Sequence, residues 1–284
     1  MHALLRRAAS RVAHIPYIDL QRERLALRRV VHTACDSESL APGWDESRLR
    51  DVLNSHGIGH EWEQIGNEIA ALGITEKAAG VNPGDRRAVY HLVRSLAPGS
   101  VLEIGTHIGA STVHAAVALR ECRRETGVPV RMTTVDIQDV NDPETRPWLG
   151  FGSGSAPKAY INRVGAQDFV RFVATRSLDY LTNARDPYDF IFLDGDHAAR
   201  TVYREIPLAL KALNRGGVIL LHDYFPGLRP LWRDGKTIPG PWLATERLRA
   251  EGARIKVLPL GELPWSTKQN SNVTSLALLV GSGN

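Results

Sequence analysis

From residue 83 onward, the chain alternates short runs of Val, Ile and Leu with amphipathic segments of ten or more residues. The apolar runs are SVLEIG, RMTTVDI, VRFVAT, DFIFLDG and GVILLHDY. Short strands separated by helix-length segments predict a parallel sheet covered by helices on both faces. ARIKVLPL and SNVTSLALLV leave no room for a helix between them, which predicts an antiparallel pair. We therefore expect an α/β fold: a doubly wound, Rossmann-like seven-stranded sheet with an antiparallel C-terminal edge strand.

Residues 1–80 lack this strand pattern. YIDLQRERLALRRVV, DESRLRDVLN and EWEQIGNEIAALG are charged amphipathic segments separated by Gly and Pro. They predict an N-terminal helical appendage over 1–80, acting as a cap, a dimerisation element or a substrate-side wall, before a catalytic domain over 81–284. Residues 1–18 carry three arginines and no acidic residue, which favours a docking or dimerisation helix. Peripheral membrane contact and a transit peptide are the alternatives.

Composition excludes several classes of protein. The 284 residues carry a net charge of +4 from scattered Lys and Arg, which gives no reason to expect a nucleic-acid partner. The apolar runs are shorter than the roughly 18 residues of a transmembrane helix, so no membrane span is expected. Cys35 and Cys122 lie far apart, without CxxC spacing, which predicts neither a disulfide framework nor a zinc site. We expect a cytoplasmic protein and a homo-oligomer.

A glycine-containing turn follows the first predicted strand. In VLEIGTHIGAST, Gly105 and Gly109 are four residues apart, and His107 stands where a dinucleotide binder would carry its second glycine. The turn therefore lacks a pyrophosphate cradle, and Glu103 just before it suits a cationic ligand. Asp136 ends the next strand, where a carboxylate can accept both hydroxyls of a ribose. S-adenosylmethionine meets these requirements, because it has a positively charged amino-acid end and a ribose but no phosphates.

Two later strands end in side chains that bind metals. FIFLDGDH ends with Asp194 and His197, and GGVILLHDY ends with His222 and Asp223. The carboxyl ends of parallel strands meet in one crevice, so both carboxylates should reach a single divalent cation. A histidine titrates near neutral pH, so His197 is a candidate general base; the alternative is that it caps or orients the following helix. We interpret Asp196 as a helix cap rather than as a metal ligand or the partner of one.

In this order and spacing, the motifs resemble those of class I S-adenosylmethionine-dependent methyltransferases, in particular the metal-dependent O-methyltransferases. The resemblance covers about residues 85–281 and is carried by EIGTHIGAST, VDI at 135–137, RSLDYL at 176–181, FIFLDGDH and GGVILLHDY. The last two segments are most similar to the macrocin and mycinamicin type of sugar O-methyltransferase. The catechol and caffeoyl-CoA enzymes are more distant relatives.

The resemblance implies roles for individual residues. The implied cofactor-binding residues are Glu103, Gly105, Thr106, Gly109, Ser111, Asp136, Ile137, Ser177, Leu178 and Asp194. The implied metal ligands are Asp194, His222 and Asp223, with magnesium as the expected ion and manganese as the alternative. His222 departs from the relatives, which carry a carboxylate there, and imidazole suits softer ions than magnesium. His197 stands where relatives carry a catalytic lysine or histidine, and is the implied base.

The implied activity is transfer of a methyl group from S-adenosylmethionine to a hydroxyl of a sugar or sugar-containing small molecule, with metal assistance. Two alternatives stay open. One is a metal-dependent hydroxylase-like enzyme of the same branch, with His222 serving oxygen chemistry. The other is a non-catalytic S-adenosylmethionine-binding protein in which the N-terminal helices carry the function.

Overall fold

The computed structural model describes residues 16–76 and 80–282. At its centre is a seven-stranded sheet in the order β3-β2-β1-β4-β5-β7-β6. The strands are β1 (Ser100–Ile104), β2 (Arg131–Asp136), β3 (Val170–Ala174), β4 (Tyr188–Leu193), β5 (Leu213–Leu221), β6 (Ile255–Pro259) and β7 (Ala277–Gly281). β1 to β5 are parallel, and β7 runs antiparallel to both β5 and β6. The predicted fold class is confirmed, including the antiparallel pairing at the C-terminal end of the sheet.

Helices cover both faces of this sheet. They are α1 (Pro16–Arg28), α2 (Glu46–Leu53), α3 (His56–Ala70), α4 (Pro83–Leu96), α5 (Ala110–Thr126), α6 (Pro147–Gly150), α7 (Pro157–Arg163), α8 (Ser177–Asn183), α9 (Ala199–Lys211) and α10 (Gly240–Ala250). A short 3-10 turn, Pro226–Leu228, follows β5. No helix among the described residues is long and apolar enough to cross a membrane.

The alternation of side chains along β4 shows how the sheet divides the core into two layers. Phe190 and Phe192 pack on one face, in a cluster with apolar residues of α2, α3, α4, α5 and α7. Ile191 and Leu193 pack on the other, with apolar residues of α1, α8, α9 and α10. Successive residues of a strand point to opposite faces, so the uninterrupted apolar run FIFL is what a strand buried on both sides requires.

The described N-terminal helices share these two layers. Leu49 of α2 and Ile65 of α3 belong to the first cluster, and Leu27 of α1 belongs to the second. Glu68 of α3 also pairs with Arg120 of α5 at 2.6 Å. The division of the chain at residue 80 stays a prediction. The proposed roles of residues 1–15 in docking, membrane contact or targeting lie outside the described residues.

Candidate active site

A cavity of about 870 Å³ opens at the carboxyl ends of the parallel strands. Six of the residues predicted to contact a cofactor line it: Gly105, Asp136, Ile137, Ser177, Leu178 and Asp194. They lie at or just after the ends of β1, β2, β3 and β4, so the fold brings together four segments of the chain that are far apart in sequence. The candidate base His197 lines the same cavity, which therefore joins the two halves of the predicted site.

The two glycines of the first turn are required by different protein contacts. Gly105 has a φ of +102°, and a Cβ there would lie 2.1 Å from the carbonyl oxygen of Asp194. Gly109 has a φ of +76°, and a Cβ there would lie 2.8 Å from Cβ of Pro157. Both positions therefore exclude larger residues. Gly105 keeps β1 and β4 close beneath the cavity, whereas Gly109 packs against α7 and does not line the cavity.

Glu103 lies beneath the cavity wall. Its carboxylate accepts hydrogen bonds from Oγ of Ser111 at 2.6 Å and from Oγ1 of Thr112 and Thr134 at 2.5 and 2.6 Å. Burial raises its pKa to about 7 in spite of these three donors. Thr106 is also buried, with its hydroxyl 2.6 Å from that of Thr134. The structure thus places Glu103, Thr106 and Ser111 in a buried hydroxyl network rather than among the cavity-lining residues.

Asp136 lies at the cavity surface, at the end of β2. Its Oδ2 accepts a hydrogen bond from the backbone N–H of His107 at 2.9 Å. His107 has a φ of +49°, and its ring packs 4.1 Å from the ring of Phe151. The pKa of His107 is lowered, mainly because the ring is partly buried. The backbone N–H of His107 therefore orients the carboxylate of Asp136.

The strand-end residues that were predicted to bind a metal converge. Nδ1 of His222 lies 2.7 Å from Oδ1 of Asp194 and 3.6 Å from Oδ2 of Asp223. Nε2 of His197 lies 3.4 Å from Oδ2 of Asp223 and 3.9 Å from Oδ1 of Asp194. Ligand atoms of Asp194, His197 and His222 lie within 4.8 Å of one another, close enough to share one cation. The donor set thus contains two imidazoles, which suits Mn²⁺, Fe²⁺ or Zn²⁺ better than Mg²⁺.

His222 is buried among carboxylates. Burial disfavours its charged form, but the charges of Asp194 and Asp223 outweigh burial and hold its pKa well above the ordinary value. Metal ligation requires a neutral imidazole nitrogen, so a cation and this proton would compete for the same ring. The spacing and chemistry of the donor atoms nevertheless fit a divalent metal that displaces this proton.

Asp85 is a site residue that the motifs did not single out. It lies in the first turn of α4, is fully buried, and has its Oδ2 3.5 Å from Nε2 of His222. Its Oδ1 has no hydrogen-bond partner among the described residues. The Asn82 amide donates to Oδ2 at 2.6 Å, and the backbone N–H of Asp85 donates to the Asn82 side chain. In the sequence, Asn82 and Asp85 are an ordinary helix-capping pair, so no local signal separates this carboxylate from a cap.

The turn between β4 and α9 sets the position of His197. Asp196 accepts hydrogen bonds from the backbone N–H of Ala198 at 3.0 Å and from Oγ1 of Thr201 at 2.7 Å. It therefore holds the turn just ahead of α9, whose N-cap position is Ala198. The His197 side chain is 32% exposed, which leaves it accessible from the cavity.

Comparison with known proteins agrees with this architecture. Residues 102–224 match a methyltransferase domain family. The fold is similar to that of TomG, an O-methyltransferase of tomaymycin synthesis from Streptomyces achromogenes solved with its cofactor, at 18% identity and a TM-score of 0.52. That alignment covers 85% of this chain and 92% of TomG.

Two further structures give the same result. A cofactor-bound protein from MTB is 20% identical with a TM-score of 0.51, over 85% of this chain and all of the other. A candidate O-methyltransferase from Klebsiella pneumoniae is 19% identical with a TM-score of 0.51, over 85% and 92% of the two chains. The prediction of a methyltransferase fold is confirmed. At these identities the likeness concerns the fold, and the site residues must be argued from their own geometry.

Proposed function

We propose that the protein is an S-adenosylmethionine-dependent O-methyltransferase that acts on a hydroxyl of a sugar or sugar-containing small molecule. The observation that carries the proposal is the single cavity in which Gly105 and Asp136 meet Asp194 and His197. The first pair lies where the cofactor's methionine and ribose portions would bind. The second pair lies beside His222 and Asp223, and this polar cluster is suited to an acceptor hydroxyl.

The chemistry requires a deprotonated oxygen in line with the S-methyl carbon. In our proposal Nε2 of His197 takes the hydroxyl proton as the oxygen attacks the methyl carbon, and the carbon–sulfur bond breaks to leave S-adenosylhomocysteine. Oδ2 of Asp223 lies 3.4 Å from that nitrogen, so its charge stabilises the imidazolium that forms. Asp136 holds the ribose hydroxyls, so that the sulfonium lies at a fixed distance from the base.

Asp194, His222 and Asp223 are the proposed metal-holding residues, and His197 beside them is kept as the base. A divalent cation at this cluster would lower the pKa of the acceptor hydroxyl and fix its position. The mixed nitrogen and oxygen donors favour manganese or another transition metal over magnesium. Asp85 holds the far side of the His222 ring in the manner of an outer-shell carboxylate.

The proposal is tested by binding and by activity. We expect the wild-type protein to bind S-adenosylhomocysteine in calorimetry and to transfer a labelled methyl group to at least one member of a panel of sugars and glycosides. His197→Ala should bind S-adenosylhomocysteine within about twofold of wild type but lose at least 100-fold in transfer rate. Absence of cofactor binding, or full activity of His197→Ala, would contradict the proposal.

The metal role needs its own experiment. We expect a chelator to abolish methyl transfer and Mn²⁺ to restore it, and we expect Asp194→Ala to lose the metal-dependent rate. Asp51→Asn removes an exposed carboxylate on α2 and serves as the charge-matched control. Transfer that survives chelation, or that persists unchanged in Asp194→Ala, would rule out metal assistance.

One observation favours a second candidate function. Two histidines and one carboxylate, as in Asp194, His197 and His222, are the donor set of non-haem iron oxygenases. A metal-dependent hydroxylase-like enzyme would consume oxygen in the presence of Fe²⁺ without transferring a methyl group. An oxygen electrode and the labelled-methyl assay, run on the same preparation, separate the two functions.

The compartment and assembly are also proposals. Cys35 and Cys122 are free thiols in the structure, which suits a reducing cytoplasm. We keep a homo-oligomer as the proposed assembly, to be measured by light scattering of the full chain.

A further inference from the structure

Four arginines line the same cavity as the strand-end carboxylates: Arg29, Arg176, Arg200 and Arg204. Within the described parts of the chain, none of them has a carboxylate oxygen within 4.0 Å. Arginines that join elements of the scaffold behave differently, since Arg94 and Arg120 both pair with acidic side chains. The cavity therefore has a wall of four arginines that pair with no carboxylate at close range, although Asp136, Asp194 and Asp196 line other parts of the same cavity.

Two of these arginines are neighbours on one face of α9. Val202 and Ile206 are buried on the opposite face of that helix, whereas Arg200 and Arg204 are exposed, one turn apart. Like charges at positions i and i+4 destabilise a helix. A bound anion would remove that repulsion.

Arg29 is brought to the cavity by the docking of α1 against α9 and α10. The Glu23 carboxylate accepts a hydrogen bond from the backbone N–H of Ala199 at 2.5 Å, at the start of α9. Just after α1, the backbone oxygen of Val30 accepts a hydrogen bond from Arg247 at 2.8 Å. Leu27 and Val30 are buried on either side of Arg29. The guanidinium is thus carried by an anchored segment.

Arg176 comes from the turn between β3 and α8. The backbone N–H of Thr175 donates to the Asp136 carbonyl oxygen at 2.8 Å, and the Arg176 carbonyl oxygen accepts from Tyr180 at 3.0 Å. The turn is therefore fixed to the end of β2, beside the carboxylate expected to hold the ribose.

We propose that this arginine wall binds an oxyanion, a phosphate or carboxylate group, carried by the methyl acceptor. The inference rests on the proposed function. S-adenosylmethionine has one carboxylate and no phosphate, so its single negative charge cannot balance four guanidinium groups. Guanidinium groups bind phosphate and carboxylate through paired hydrogen bonds, and several converging on one cavity are suited to either. The acceptor is then an acidic sugar derivative, such as a sugar phosphate or a uronic acid, rather than a neutral glycoside.

The test is calorimetry on the full chain saturated with S-adenosylhomocysteine. Glucose 1-phosphate and glucuronate are titrated separately, with glucose as the neutral control. We expect at least one anionic sugar to bind tenfold or more tightly than glucose, and the stronger of the two identifies the anion. The double variant Arg200→Gln, Arg204→Gln should weaken that binding at least tenfold. The matched double variant Arg185→Gln, Arg215→Gln removes two exposed arginines outside the cavity and should stay within twofold of wild type.

The outcomes separate the inference from the function on which it rests. Failure to bind S-adenosylhomocysteine contradicts the proposed function. Normal binding of S-adenosylhomocysteine with no preference for the anionic sugars overturns the arginine inference alone. An equal loss of S-adenosylhomocysteine affinity in the α9 double variant would assign the arginines to the cofactor and also overturn it. Arg29→Gln, on a different element, repeats the measurement if the double variant does not fold.

Discussion

At the scale of single residues, Glu103 shows how burial changes the meaning of a motif position. It precedes the glycine turn, where a carboxylate was expected to face a cationic cofactor. The structure buries it beneath three hydroxyl donors, and its pKa rises from 4.5 to about 7. A carboxyl group with this pKa changes charge near neutral pH, so its contribution to folding depends on pH.

Glu103→Gln should therefore alter the pH dependence of stability. Between about pH 4.5 and 7 the folded wild-type protein keeps a proton that the unfolded chain releases, so wild-type stability falls as pH rises through this window. Relative to Glu103→Gln, we expect the wild type to lose on the order of 3 kcal/mol across it. Urea denaturation from pH 4.5 to 8 measures the difference, with the exposed Glu63→Gln as control. If the difference in the free energy of unfolding between wild type and Glu103→Gln does not change with pH, the raised pKa of Glu103 is contradicted.

At the scale of elements, the start of α10 supports the turn that carries His197. Gly240 is the first residue of that helix, and a Cβ there would lie 1.7 Å from the backbone oxygen of His197. The glycine is therefore needed for close packing of two backbones, not for a special conformation of its own. The candidate base depends for its position on a helix that lies more than forty residues later in the chain.

Gly240→Ala should displace this turn. We expect a loss of at least about 2 kcal/mol in the free energy of unfolding, because neither backbone can move away without breaking packing. Gly59→Ala in α3 is the matched control, since its Cβ would meet nothing within 4 Å. That change should stabilise the helix by roughly 0.5–1 kcal/mol. Equal effects of the two substitutions in urea denaturation would show that the contact with His197 does not constrain the turn.

At the scale of the whole molecule, buried ionisable groups act on stability in opposite directions. Burial lowers the pKa of His91 and His114 to about 3. Burial raises the pKa of Glu103 and Glu205 to about 7. Between about pH 4.5 and 6.5 the two histidines are protonated in the unfolded chain but not in the folded protein. In the same range the two glutamates are protonated in the folded protein but not in the unfolded chain. The two effects oppose each other in this range, and below it only the histidine effect remains.

His114→Phe isolates the histidine effect. The His114 ring stacks on Trp62 with ring centroids 5.8 Å apart, and phenylalanine preserves an aromatic contact there. Because the folded pKa is depressed, the stability that neutral His114 provides is present above pH 6.5 and is lost as pH falls toward 3. Relative to the variant, we expect the wild type to lose up to about 4 kcal/mol over this range. Acid titrations followed by circular dichroism test this, with the exposed His60→Phe as control; parallel curves would contradict it.

The sequence by itself determined the order and type of the strands and helices. The apolar run FIFL of β4 is buried on both faces, and such runs are typical of a strand with helices on each side. The rules for connecting parallel strands then limit the fold to a few arrangements. The strand ends were also predictable, because the carboxyl ends of parallel strands must meet. Asp136, Asp194, His197, His222 and Asp223 all lie there.

Only the tertiary structure decided which of the strand-end side chains contact one another, and which further partners they have in distant parts of the sequence. Asp85 lies more than 130 residues from His222 in the chain and resembles a helix cap, yet it reaches the His222 ring from α4. Glu103 belongs to the glycine motif but is covered by hydroxyls from α5 and β2. The arginine wall combines one residue just after α1, one just before α8 and two on α9, and these residues share no motif. Contacts of this kind depend on packing across large sequence separations, and no local pattern of side chains encodes them.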